Sequence, residues 1–160
     1  MESSLQRFEL VVRAVARLVP PKERAVKPAV HPFDVRNIHA ALPPKVKKLF
    51  DDGHFADSTF TAFKFLDKEV QLHSGLRDSG YKLMMDAFDD AKPRLQLTPL
   101  KTVSEIDEQK GYRFMFAGSM WAIRNPRGHE FDVLDDPDTC LDHLSFVSML
   151  LRRLEQAGFK

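Results

Sequence analysis

Apolar residues in the segment 55–73 recur with the period of an α-helix, and this pattern limits the possible folds more than any other feature. Successive members of the pattern are four, three, four and four residues apart: Phe55, Thr59, Ala62, Leu66 and Val70. This spacing places the side chains on one stripe of a helix, which must pack against other elements to leave water. The sequence predicts a helix over about 55–73, closed by Gly75.

Similar patterns predict further helices along the chain. They cover the first twenty residues, where Ser3 or Ser4 provides a cap, and then about 44–52, 81–88, 104–124 and 138–157. The last helix presents apolar residues at helical spacing: Leu141, Leu144, Val147, Leu151 and Leu154. Residues 92–103 contain two prolines and predict a loop rather than a sheet. The predicted fold class is all-α, with the helix after Ser104 packed antiparallel to the last helix.

The domain organisation follows from length and proline content. Six of the ten prolines fall in residues 20–44, which predicts a connector over the core with at most a short helical turn. We therefore expect an N-terminal helix and connector in residues 1–30 and one helical domain in residues 31–160. Expected helix caps are Ser104 with Asp107, and the acids Asp135, Asp136 and Asp138 before the last helix.

Composition excludes several classes of protein. Hydrophobic residues make up 43% and charged residues 29%, which is typical of a globular domain rather than a disordered chain. The net charge of +1 gives no global attraction for nucleic acid, so RNA would need a local patch such as Lys45, Lys47 and Lys48. Because Cys140 is the only cysteine, the sequence predicts no disulfide and no cysteine zinc site, and it indicates a cytoplasmic location. No apolar stretch is long enough to predict a membrane span.

The segment 124–129 (RNPRGH) carries the residues best suited to chemistry. A residue before proline avoids the α conformation, so the helix is predicted to break at Ile123 or Arg124. Asn125 is a favoured N-cap, and a new helical turn can begin there. We expect this break to let Arg124 and His129 point towards the same space. An imidazole can move protons while a guanidinium holds developing negative charge, which suits phosphoryl chemistry without metal.

Segment 123–130 (IRNPRGHE) resembles the signature of the Ymh family of prokaryotic proteins, and its Arg-x4-His spacing is similar to that of the HEPN superfamily. Supporting similarity lies in segments 49–55 (LFDDGHF), 62–66 (AFKFL), 115–118 (MFAG) and 148–154 (SMLLRRL). The resemblance covers roughly residues 31–157. It implies a HEPN-like helical bundle that forms a homodimer, with two motifs facing one RNA-cleaving cleft.

The resemblance further implies a metal-independent endoribonuclease in which the substrate's 2′-hydroxyl is the nucleophile. His129 is predicted to be the general base or acid, Arg124 to stabilise the pentavalent phosphate, and Asn125 to fix the turn or orient a partner. Arg127 and Glu130 are predicted to contact the substrate. A toxin or phage-defence role, with an antitoxin or defence-system protein as partner, follows by analogy.

Blander interpretations remain open from the sequence. Arg124 and His129 could cap helices or pair with Glu130 or Asp132, and the chain would then be a non-catalytic module that binds RNA, nucleotide or protein. Four histidines show no metal-ligand spacing: His31, His39, His73 and His143. No cofactor or metal is predicted.

Overall fold

The computed structural model of the chain describes residues 4–5, 7–9, 30–130 and 132–159. The chain divides into two compact units, Met1–Val30 and His31–Lys160. In the first unit, residues 4–5 and 7–9 are helical, in agreement with the predicted N-terminal helix. The rest of that predicted helix, and the connector up to residue 29, lie outside the described residues.

The second unit consists of helices joined by loops, and no strand occurs in residues 30–130 or 132–159. Its elements in chain order are α1 (Pro32–Val35), α2 (Pro44–Asp51), α3 (Phe55–Ser74), α4 (Gly80–Ala87), α5 (Val103–Ser119), a π-helical turn (Met120–Arg124), α6 (Asn125–His129) and α7 (Pro137–Gln156). The all-α prediction is confirmed. Among the helices described, none combines the length and hydropathy needed to cross a lipid bilayer.

Helix α3 lies at the centre of the second unit and contacts α2, α4, α6, α7 and the π-helical turn. The predicted stripe explains this position, because Ala62, Leu66 and Val70 are fully buried. The helix ends where Gly75 adopts the left-handed conformation, with φ of 70°, as the sequence predicted. Because α3 contacts both α6 and the π-helical turn, the motif segment packs on the central helix of this unit.

The last helix, α7, buries the five apolar residues predicted for its inner face, from Leu141 to Leu154. Its main partner is α3, while its contact with α5 includes the ion pair of Arg153 with Glu108 at 2.9 Å; the antiparallel packing of α5 and α7 stays a prediction. Helix α5 buries few residues and packs mainly on α4. Because α3 offers a continuous apolar stripe and α5 does not, the apolar face of α7 is better covered by α3.

Two helix caps bear on the sequence predictions. The N-cap of α5 is Thr102, whose hydroxyl accepts from the Glu105 N–H, while the Glu105 carboxylate accepts from the Thr102 N–H at 3.1 Å. The predicted box of Ser104 and Asp107 is thus wrong by two residues, because the longer glutamate side chain reaches back to the cap. Asp136 caps α7 through the N–H groups of Asp138 and Thr139, as expected for this acidic cluster.

Candidate functional site

The motif segment forms a continuous helical run rather than a break. Asn125 has φ of −65° and ψ of −44°, and its N–H donates to the Met120 carbonyl five residues earlier. The predicted break and the N-cap role of Asn125 are therefore wrong. A π-helical turn contains one more residue than a regular turn, which gives the ring of Pro126 room that an α-helix interior denies. The chain leaves the helix at Glu130, which is extended.

Arg124 is half-buried at the end of the π-helical turn. Its guanidinium carbon lies 5.4 Å from the centroid of the Phe60 ring. Its Nη1 donates to the side-chain oxygen of Asn125 at 3.1 Å. Its Nε is buried, and no hydrogen-bond partner for it occurs among the described residues. A buried donor without a partner is costly, so this guanidinium is well prepared to bind an anion.

Arg124 lacks the carboxylate partner that several other arginines in the fold have. Four of them bind carboxylates at 2.5 to 2.9 Å: Arg36, Arg113, Arg127 and Arg153. Arg124 forms no ion pair within residues 30–130 and 132–159, and this includes Glu130 and Asp132, the partners considered from the sequence. Its charge is therefore not neutralised by the part of the chain that the structure describes.

His129 ends α6 with an exposed side chain and forms no hydrogen bond or ion pair with a described residue. Five residues of α-helix correspond to about 500°, so His129 points about 140° away from Arg124 around the helix axis. The break that was expected to bring the two side chains together is absent, and the expectation that they face the same space within one chain stays a prediction. Gly128 shares the face of Arg124 instead, and it packs against Phe60.

Arg127 forms a buried ion pair with Asp135. Its Nε and Nη2 donate to the two carboxylate oxygens at 2.7 and 2.5 Å, and its Nη1 donates to the Ile123 carbonyl at 2.8 Å. The two side chains are only 8% and 4% exposed. Because these donors are engaged within the chain, Arg127 fixes α6 to the segment before α7. Its predicted contact with substrate phosphate remains a prediction.

A cleft of about 220 Å³ adjoins this ion pair and is lined by Glu130, Leu134 and the segment 53–57. Beside the pair, Nδ1 of His143 lies 3.9 Å from the Asp135 carboxylate and forms no hydrogen bond with a described residue. Burial, and secondarily the positive charge of Arg127, lower the pKa of His143. Glu130, predicted to contact substrate, is exposed at this cleft.

The comparison with known families matches the chain to one of them. A model described as "Protein of unknown function (Hypoth_ymh)" covers residues 36–154. The chain belongs to this family. The matched range contains α2 to α6 and nearly all of α7, so the Hypoth_ymh region includes the whole motif and the helix that supports it. No curated protein and no solved structure matches the chain significantly.

Several histidines of this Hypoth_ymh chain lie next to carboxylates. Three have a carboxylate oxygen within 2.7 to 3.7 Å: His31 with Asp51, His39 with Glu155, and His73 with Glu69. Across residues 30–130 and 132–159, no three His, Cys, Asp or Glu side chains gather as metal ligands would. Cys140 is buried, and burial raises the pKa of its thiol.

Three residues of this Hypoth_ymh site make contacts that the sequence pattern did not predict. Phe60 lies off the main apolar stripe of α3, so nothing in the pattern linked it to Arg124. Asp135 was predicted to cap α7, whereas Asp136 does so and Asp135 binds Arg127. His143 was considered only as a histidine without metal-ligand spacing, and helical spacing alone could not show its contact with Asp135.

Proposed function

We propose that this Hypoth_ymh chain is a metal-independent endoribonuclease of the HEPN type, which acts as a toxin or phage-defence effector. The observation that supports the proposal best is Arg124, a half-buried guanidinium with a buried Nε and no acidic partner among the described residues. A planar guanidinium in this condition suits a phosphate, which accepts two of its N–H groups at once.

The proposed reaction needs only RNA and two side chains. The 2′-oxygen of a ribose attacks the neighbouring phosphorus while the bond from phosphorus to the 5′-oxygen breaks. His129 takes the proton of the 2′-hydroxyl while water protonates the departing 5′-oxygen, or water takes the first proton while His129 supplies the second, and Arg124 stabilises the pentavalent phosphate. The products are a 2′,3′-cyclic phosphate and a 5′-hydroxyl. The exposed position of His129 leaves its ring nitrogens accessible to substrate.

A composite site between two copies of the chain would reconcile the different directions of Arg124 and His129. In the isolated chain these side chains diverge by about 140°. In a two-fold dimer, the His129 of one copy can approach the Arg124 of the other, and the symmetry creates this relationship twice. The predicted homodimer is therefore part of the proposed mechanism.

One helix face has the shape expected for such a dimer. Gly111, Phe114, Gly118 and Trp121 are spaced by three, four and three residues and are all exposed. A Cβ added to either glycine would meet nothing within 4 Å, so packing within the described chain does not require glycine there. A glycine inside a helix costs about 1 kcal/mol relative to alanine, and this cost is offset when another helix approaches closely. The face ends at Trp121, three residues before Arg124.

RNA cleavage in the presence of EDTA tests the proposal. Wild-type protein is expected to release fragments with cyclic phosphate and 5′-hydroxyl ends. His129→Ala is expected to lower the rate by about a hundredfold or more, the scale of lost acid–base catalysis. Arg124→Lys is also expected to lose activity, because lysine lacks the planar fork of donors. Circular dichroism checks that each variant folds. The matched controls are His31→Ala and Arg36→Lys, because each alters an ion pair that lies outside the motif segment 124–129.

A non-catalytic binding module is the second candidate function, and the aromatic surface of α5 and the π-helical turn favours it. The rings of Tyr81 and Trp121 are stacked with centroids 3.7 Å apart, and Trp121 is 58% exposed. Tyr81 of α4 is half-buried, so it supports the exposed ring of Trp121, and an exposed tryptophan is typical of binding surfaces. Tight RNA binding without cleavage by any form of the protein, across many RNAs, would support this module and exclude the nuclease.

A further inference from the structure

A groove between α2 and α3 lies close to Arg124. Its volume is about 470 Å³, and it is lined by Lys45, Leu49, Asp57, Phe60, Thr61 and Lys64. Lys45 and Lys64 come from different helices and are both exposed. Leu49 and Phe60 add apolar surface between them. The groove thus combines positive charge with an aromatic ring, which is the combination that single-stranded nucleic acids bind.

The two lysines of the groove differ from their neighbours in how their charge is used. Lys47 and Lys48, also on α2, donate to Asp51 and Asp52 at 2.6 Å. Lys45 and Lys64 form no ion pair with any residue in the described part of the chain, which includes Asp57 of the same groove. The basic face predicted for α2 is therefore divided, and the unpaired charge lies on the groove side.

Phe60 connects this groove to the motif. Its side chain lines the groove, its ring lies beneath the Arg124 guanidinium, and its edge is the nearest neighbour of Gly128. A polymer lying in the groove would reach Arg124 by crossing one aromatic ring. Phosphates before or after a scissile phosphate on Arg124 would then lie near Lys45 and Lys64.

We propose that this groove binds single-stranded RNA beside the cleavage site, with Lys45 and Lys64 contacting flanking phosphates and Phe60 contacting a base or ribose. The identity of the polymer rests on the proposed ribonuclease function. The groove itself rests on the unpaired lysines and on Phe60, which it shares with Arg124.

Binding of a fluorescent 2′-O-methyl RNA oligonucleotide, measured by anisotropy, tests the groove. This probe lacks the free 2′-hydroxyl and cannot be cleaved by the proposed route, so binding is measured apart from catalysis. The variant Lys45→Gln/Lys64→Gln is expected to bind about tenfold more weakly near 0.1 M salt, with a salt slope shallower by about 1.4. The control Lys47→Gln/Lys48→Gln removes the same charge from paired positions and is expected to remain within about twofold of wild type.

Each outcome bears on the groove. Binding of the groove variant as tight as wild type, or equal losses in the groove and control variants, would overturn it. So would failure of the wild-type protein to bind the oligonucleotide. Failure of the nuclease proposal is recognised separately. If folded His129→Ala cleaves RNA as fast as wild type while binding still depends on Lys45 and Lys64, the groove stands and the assigned chemistry does not.

Discussion

The guanidinium of Arg124 lies against the ring of Phe60, with 5.4 Å between the guanidinium carbon and the ring centroid. A contact of this kind contributes about 0.5–1 kcal/mol when exposed and more when desolvated. Unlike a carboxylate, the ring holds the guanidinium without neutralising its charge. Phe60 therefore orients Arg124 and leaves its positive charge available to a phosphate.

Gly128 is expected to be required for this arrangement. A Cβ built on Gly128 lies 2.8 Å from Cε2 of Phe60, so the ring must move in Gly128→Ala. The crowding should exceed the gain in helix propensity and lower the free energy of unfolding by about 1 kcal/mol in urea. Combining it with Phe60→Leu should recover part of the loss. A Gly128→Ala protein at least as stable as wild type would contradict the described contact.

The ion pair between Arg127 and Asp135 is expected to stabilise the fold rather than only the site. Asp135→Asn leaves a nearly buried guanidinium without its carboxylate, which should lower the free energy of unfolding by about 3 kcal/mol. The matched control is Asp142→Asn, whose partner Arg36 is 42% exposed, and its effect should stay within about 0.5 kcal/mol. Urea unfolding of both variants measures the difference. Equal losses in the free energy of unfolding would mean that the buried ion pair stabilises the fold no more than the exposed one.

The stability contributed by His143 is expected to depend on pH. Burial and Arg127 lower the pKa of His143 in the folded chain, so the unfolded chain binds more protons once pH falls below about 6.5. Stability is therefore lost as pH drops from this value towards the lower folded pKa. The stability advantage of wild type over His143→Gln should shrink between about pH 7.5 and pH 5. A difference that stays constant or grows in that window would contradict this sign.

Mixing two inactive variants is expected to restore RNA cleavage. If Arg124 and His129 act from different copies, a heterodimer of Arg124→Lys and His129→Ala contains one intact pair. With random exchange, about half of the dimers are mixed, and activity should reach about a quarter of wild type. Activity that stays at the level of the separate variants, after exchange is confirmed by differently tagged copies, would show that the two residues act within one chain.

The glycine and aromatic face of α5 is expected to hold the dimer together. Phe114→Asp places a charge on an exposed ring position, 52% accessible in the single chain, and should convert a dimer to a monomer without unfolding it. Light scattering at micromolar concentration measures this change. Lys68→Asp, a charge reversal at an exposed position on a different helix, α3, is the control. A wild-type protein that is monomeric, or a Phe114→Asp protein that remains dimeric, would exclude this surface.

Periodic apolar residues predicted the described helices well, because burial of a stripe such as Ala62, Leu66 and Val70 depends mainly on spacing. Local rules were less reliable where two signals competed. Asn125 before Pro126 predicted a break, yet a π-helical turn accommodated the proline within a continuous helix. Contacts between residues far apart in the chain could not be predicted from residue spacing. Phe60 and Arg124, for example, meet only because α3 packs against the motif segment.

The π-helical turn also decides where the chain can lose a residue. Because Met120–Arg124 holds one extra residue, a deletion inside this turn would restore a regular helix and leave the residues after it on nearly the same faces. Arg127 would still face Asp135, and Gly128 would still face Phe60, but the ring of Pro126 would then meet the carbonyl four residues earlier. A deletion between Pro126 and His129 has no extra residue to absorb it and would turn His129 by about 100°. The extra residue thus serves Pro126, and it leaves the direction of the motif unchanged.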